Sequence, residues 1–225
     1  LRATLSRMER DAAAGRVPNT GDRDFHLRIA EAADNNTAEK AQPVALPATL
    51  CGAIEKVEDF DFYKFTATAG QAISFHVRCQ RLQDKIHDLQ AHADPILFLR
   101  DTKGGVLAMS DNTFFADPFL THTFDQAGEY LLEIRDVRYH GNVYWEYCIE
   151  AHDRPFVTNV HPMRVTPGQS SVHELVGYNL PADAKGTINV PKETPEGIQW
   201  LNITLDKELK CNPVPVVVSS LPSVI

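Results

Sequence analysis

Two carboxylates, Asp59 and Asp61, flank Phe60 at the head of the aromatic run Phe60-Asp61-Phe62-Tyr63-Lys64-Phe65. Upstream, Glu31, Asp34, Asn35 and Asn36 supply further oxygen-bearing side chains within a few residues of one another. Calcium takes six to eight oxygens from carboxylates, amides, backbone carbonyls and water. A calcium site is therefore the sharpest chemistry that these residue types suggest. The competing reading is a solvated turn at Asp59 and Asp61, with the asparagines bonding to nearby backbone.

Other chemistries find less support. The histidines are scattered: His26, His76, His87, His92, His122, His140, His152, His161 and His173. His87-Asp88 with His92 comes nearest to a transition-metal pattern, but there is no HExxH, and no further ligand follows at a fixed spacing. They read as surface loop histidines. Ser110, Ser170 and Ser171 read as loop residues without a paired base, and no GxSxG elbow is present. Gly104-Gly105 is too short to cradle a phosphate and reads as a hairpin turn. The expectation is a protein that is not an enzyme. Tyr139, Tyr144, Trp145 and Tyr147 lie close in sequence. Alternation points Tyr144 away from Trp145 and Tyr147, so Tyr144 is the candidate ligand-binding aromatic. The simpler reading makes Trp145 and Tyr147 core and Tyr144 an ordinary surface residue.

The elements that must position these groups are strands. Ile73, Phe75 and Val77 alternate with Ser74 and His76. Ile96 to Arg100 is an apolar run, and Asp101-Thr102-Lys103-Gly104-Gly105 turns it back through Val106 to Met109, with Gly supplying positive φ. Leu120 to Phe124, Tyr130 to Arg135 and Val143 to Glu150 continue the pattern. Many short strands between turn signals predict a sandwich or barrel. Residues 80–92 read as a polar excursion, and residues 1–16 as a short surface helix. At His152-Asp153-Arg154-Pro155 the pattern resets, and Val172, Glu174 and Val176 alternate within a second, smaller set of strands.

The chain of 225 residues is 43% hydrophobic with a formal net charge of -8, a globular composition that argues against nucleic acid and anionic membranes as partners. No apolar run approaches the ~20 residues of a membrane helix, so membrane insertion is not expected. Cys51, Cys79, Cys148 and Cys211 form no CxxC motif. Two disulfides with three connectivities, or unbridged core thiols, remain open. Alternation turns Cys79 inward and Cys148 outward, so a Cys79–Cys148 bridge is not a simple one.

Residues from about 26 to 151 resemble the bacterial pre-peptidase C-terminal domain. The resemblance is carried by Glu31 to Thr37, by Asp59-Phe60-Asp61-Phe62-Tyr63-Lys64-Phe65, by Thr68-Ala69-Gly70-Gln71, by Asp94-Pro95-Ile96-Leu97-Phe98-Leu99, by Ser110-Asp111-Asn112 and by Ala127-Gly128-Glu129-Tyr130-Leu131-Leu132. Residues 155–225 are similar to Ig-like IPT/TIG repeats at Val160-His161-Pro162, Thr166-Pro167-Gly168 and Val176-Gly177-Tyr178-Asn179-Leu180. The first resemblance implies a calcium ion held by Glu31, Asn35, Asn36, Asp59 and Asp61. Ala33 stands where that family often has a second Glu, which weakens the implied site.

The expected fold is all-β: a jelly-roll-type β-sandwich followed by a smaller Ig-like β-sandwich. Residues 1–25 form a tail or short helix, 26–152 the first sandwich and 153–225 the second. The expected function is a non-catalytic structural or assembly module of a larger exported bacterial protein, placed outside the cell, on its surface or in the periplasm. The alternatives are a module that binds an extracellular polymer, polysaccharide or collagen-like, and an accessory domain of a secreted peptidase. Expected partners are therefore proteins or an extracellular polymer.

Overall fold

The computed structural model describes residues 35–82, 91–205 and 211–222. The N-terminal helix expectation, Glu31 and most of the 80–92 excursion lie outside the described residues. Two compact units are present, the first closing at His152 and the second opening at Asp153.

The first unit begins with β1 (Gln42–Pro43), β2 (Ala48–Ala53), β3 (Phe60–Ala67) and β4 (Ala72–Arg78). It continues with β5 (Pro95–Asp101), β6 (Val106–Ser110), β7 (Phe119–Thr123), β8 (Gly128–Asp136) and β9 (Glu146–His152). One sheet has the order β1-β3-β8-β5-β6, the other β2-β9-β4-β7. Setting β1 aside, the eight strands β2 to β9 divide in the alternating manner of a jelly roll, two Greek keys wrapped into two sheets. β1 adds to β3 in parallel.

Period-two alternation explains the packing. Tyr63, Phe65 and Ala67 of β3 turn inward, as do Leu132 and Ile134 of β8 and Leu97 and Leu99 of β5. Phe75 and Val77 of β4, with Tyr147 and Ile149 of β9, face them from the second sheet. Phe65 binds the layers together, its ring centroid 5.4 Å from Phe75 and 5.9 Å from Phe124. The β5–β6 turn forms as its residues dictate: Gly104 has φ +88, and Asp101 Oδ1 accepts the backbone N–H groups of Lys103 and Gly105 at 2.8 Å each.

The second unit comprises β10 (Phe156–His161), β11 (Arg164–Val165), β12 (Ser170–Tyr178), β13 (Lys185–Asn189), β14 (Gly197–Leu201), β15 (Thr204–Leu205) and β16 (Val214–Val218). Sheets β10-β12-β13-β15 and β11-β16-β14 enclose Val157, Val160, Leu175, Ile188, Val214 and Val216. Four strands over three is the layer plan of an Ig-like sandwich. The third long strand, β13, stays beside β12 as a hairpin, whereas an Ig constant domain sends its third strand to the opposite sheet. The alternating row of Val172, Glu174 and Val176 does mark a strand, but it is the solvent row: Val172 is 63% and Val176 59% exposed. His173 and Leu175 supply the core face.

The histidine expectation needs correction. His76, His152 and His173 are strand residues and buried. An imidazole is large enough to fill a core position once its nitrogens find partners. The Arg81 guanidinium reaches His76 Nε2 at 2.9 Å, and Phe114 and Phe119 cover the ring.

Candidate functional site

Asp61 heads the inward row of β3, two residues before Tyr63. Its carboxylate therefore enters the margin of the core instead of a solvated turn. The Tyr147 hydroxyl donates to Asp61 Oδ2 at 2.5 Å, and the Tyr63 and Tyr147 hydroxyl oxygens are 2.6 Å apart. Tyr147 has one proton and gives it to Asp61, so with Asp61 ionised Tyr63 donates to Tyr147. The result is a directed chain, Tyr63 to Tyr147 to Asp61, joining the two sheets.

Burial pushes Asp61 up to about 7, with the Tyr147 hydrogen bond opposing and the nearby Asp59 charge adding. Burial likewise raises both tyrosines well above the usual phenol range. Asp59 is also buried, and its Oδ2 accepts the backbone N–H of Glu55 at 2.7 Å. Asn35 is buried, clipped to β3 by its Nδ2 on the Phe62 carbonyl at 3.2 Å and by the Phe62 N–H on its own carbonyl at 3.0 Å. Asn35, Asp59 and Asp61 therefore converge near the start of β3, while Asn36 is half-buried beside Asn35.

Part of the oxygen set implied for calcium is already engaged within the protein, and Glu31 lies outside the described residues. One Asp61 oxygen serves Tyr147, one Asp59 oxygen serves the Glu55 amide, and the Asn35 amide holds Phe62. Among the described residues, no three His, Cys, Asp or Glu side chains cluster. What the arrangement does chemically is to fasten β3 to β9 and to shield an acid.

The outer face of the first sheet is also engaged within the protein. Glu133 is buried between Arg100 at 2.7 Å and Arg135 at 3.4 Å. The Arg135 guanidinium lies 4.3 Å from the Tyr139 ring centroid, 5.1 Å from Phe98 and 5.9 Å from Phe60. This cation–π layer spans β3, β5 and β8. The sequence signal was present, since Arg and aromatic residues share the outward parity on these strands, but only strand pairing brings them together.

Tyr144 lies just before β9 and is 65% exposed, while Trp145 and Tyr147 are core. The backbone N–H of Tyr144 is held by Asn142 Oδ1 at 3.0 Å. In the second unit, Ile198 and Trp200 project outward from β14, 73% and 68% exposed. Their registered partners on β16 are Val217 and Pro215. This exposed apolar row was missed in the sequence, where Ile198, Trp200 and Val217 look like ordinary core strand residues.

Ser171 also departs from expectation. It lies on β12, and its Oγ is 2.7 Å from His173 Nε2, while His173 Nδ1 is 2.7 Å from the Pro162 carbonyl. Residues two apart on a strand share a face, which is what pairs them. His173 is 1% exposed, so the pair ties β12 to the turn at Pro162 and offers no cleft to a substrate.

No protein-family model matches the sequence, and no curated protein matches it. Solved structures do. The pre-peptidase C-terminal domain of a collagenase from Bacillus anthracis aligns at 13% identity and a TM-score of 0.39, covering 49% of this chain and 93% of that one. The periplasmic g-type lysozyme inhibitor PliG of Aeromonas hydrophila aligns at 12% identity and a TM-score of 0.32, over 50% of this chain and 97% of its own. PliG of Salmonella Typhimurium gives 16% and 0.31 with the same coverage. The strand order described above, and not these likenesses, carries the fold. Among the described residues, no helix is long and apolar enough to cross a membrane.

Proposed function

We propose that the chain is a non-catalytic assembly module of a larger exported protein, and that it binds a neighbouring protein through the β14 face of its second unit. The observation that carries this reading is the exposed row of Ile198, Trp200 and Val217 on a sheet whose other side is core. Large apolar side chains grouped on a packed sheet favour burial against a partner, and Trp is among the commonest interface anchors.

The test is to place a photo-crosslinking amino acid at Trp200 in the full-length parent protein in its own cell, with Val172 on the other sheet as control. A discrete protein adduct at position 200 and none at 172 is expected. Equal adducts at both positions, or none at 200, would sink the reading. The polymer-binding alternative rests on the exposure of Tyr144. It requires co-sedimentation with an insoluble polysaccharide or collagen that Tyr144→Ala abolishes.

A further inference from the structure

Cys51 on β2 and Cys148 on β9 are registered directly opposite each other in an antiparallel pair. Opposed residues project to the same face, here the outer face of the sheet, because Leu50, Tyr147 and Ile149 occupy the inner one. Their Cα atoms sit about 4.5 or 5.5 Å apart depending on the type of pair, within the roughly 4.4–6.8 Å that a disulfide spans. The two thiols lie close enough for Cys51 to bear on the titration of Cys148. Cys51 is exposed and Cys148 half-buried beside it on the neighbouring strand, so Cys51 is the more accessible of the two to an oxidant. The other two cysteines are placed differently: Cys79 is fully buried in the first unit, and Cys211 packs against the core of the second.

We propose that Cys51 and Cys148 are an oxidation site, forming a single intramolecular disulfide that staples the edge strand β2 to β9. The sheet order β2-β9-β4-β7 leaves β2 at the edge, where strands open first. The cross-link would close a loop holding β3 to β8, nearly the whole of the first unit. The oxidant is a disulfide, either a small molecule or a disulfide-exchange protein. The Cys51 thiolate attacks one sulfur of the oxidant and forms a mixed disulfide, releasing the first thiol. The Cys148 sulfur then attacks Cys51, giving the intramolecular bond and releasing the second thiol. Two protein thiols become one disulfide while one oxidant disulfide becomes two thiols, so atoms and electrons balance. The greater exposure of Cys51 assigns it the first attack, while burial and the neighbouring Cys51 push the Cys148 thiol up to about 11.

The experiment treats the folded full chain with oxidised glutathione, then alkylates under denaturing conditions and maps thiols by mass spectrometry. The expected product has lost two hydrogens, keeps alkylatable thiols only at Cys79 and Cys211, and yields a Cys51–Cys148 linked peptide. Its melting temperature should rise by on the order of 10 °C over the reduced protein. Cys148→Ser, which keeps the size of the side chain but removes the resolving sulfur, should instead accumulate a stable glutathione adduct on Cys51. Four alkylatable thiols after oxidation, or a lasting adduct on wild-type Cys51, would overturn the proposal.

Discussion

Tyr147 lies across Gly52, its registered partner on the adjacent strand. A Cβ at position 52 would fall 2.6 Å from Tyr147 Cζ and closer still to the hydroxyl. The missing side chain is the space that lets the Tyr147 ring swing over to Asp61. Gly52→Ala is therefore expected to push Tyr147 aside and to cost about 2 kcal/mol or more in urea unfolding. In the Gly52→Ala background, Tyr147→Phe should cost less than it does alone, because the hydroxyl is part of the clash. Strict additivity in that cycle would contradict the contact.

Tyr147→Phe alone removes the middle of the hydroxyl chain. Asp61 loses its donor and Tyr63 its acceptor, both at the core margin. The expected loss is roughly 2 kcal/mol, since each stranded polar group carries its own desolvation cost. Tyr63→Phe leaves the Tyr147–Asp61 bond in place and should cost visibly less. Equal losses in the two variants would mean that Asp61 does not depend on Tyr147.

Asp61 makes stability depend on pH in a predictable sense. Its folded value of about 7 lies above the ordinary 3.8, so between those values the folded chain holds a proton that the unfolded chain has released. The stabilisation is full below about pH 4 and is lost as the pH rises through 7. Glu150 acts oppositely. His76, 3.7 Å away, with Arg78 adding at 2.8 Å, depresses it from 4.5 to about 2, so its contribution is lost as the pH falls through that lower range. Asp61→Asn should flatten only the first of these slopes and should be more stable than wild type at about pH 8. An unchanged slope between about pH 4 and 7 in thermal melts would show that Asp61 is not its source.

Asp117 is fully buried and accepts four N–H groups: Cys79 N, Gln80 N, Arg81 N and Arg81 Nε, at 3.0, 2.7, 3.3 and 2.6 Å. Asp117→Ala would strand three backbone donors and a guanidinium around one void. We expect a loss of about 3 kcal/mol, read by denaturant midpoint. A loss within experimental noise would mean that water replaces the carboxylate.

Calcium in the millimolar range is expected to leave the melting temperature unchanged, because the oxygens at the start of β3 already serve Tyr147 and Glu55. A ligand that binds only the folded state must raise it. A rise reversed by chelator and abolished by Asp59→Ala would show that Glu31 and solvent complete a cage around these carboxylates.

Period-two alternation in Phe60–Phe65, Ile73–Val77 and Tyr130–Arg135 determined the strands, their inward rows and the β5–β6 hairpin, because side-chain parity is a local property of an extended chain. Sequence also marked Asp59, Asp61 and Asn35 as a group. What the group does was decided by strand β9, more than eighty residues further on, which delivers Tyr147 to Asp61 over Gly52. Pairing between distant strands is a non-local event that no window of residues encodes. For the same reason Cys51 and Cys148 look unrelated along the chain and stand face to face in the sheet. Which side of a strand meets solvent was likewise tertiary: the valines of β12 and the Ile198–Trp200 row have core-like composition, yet they lie outside because each sheet has only one face to bury against its partner.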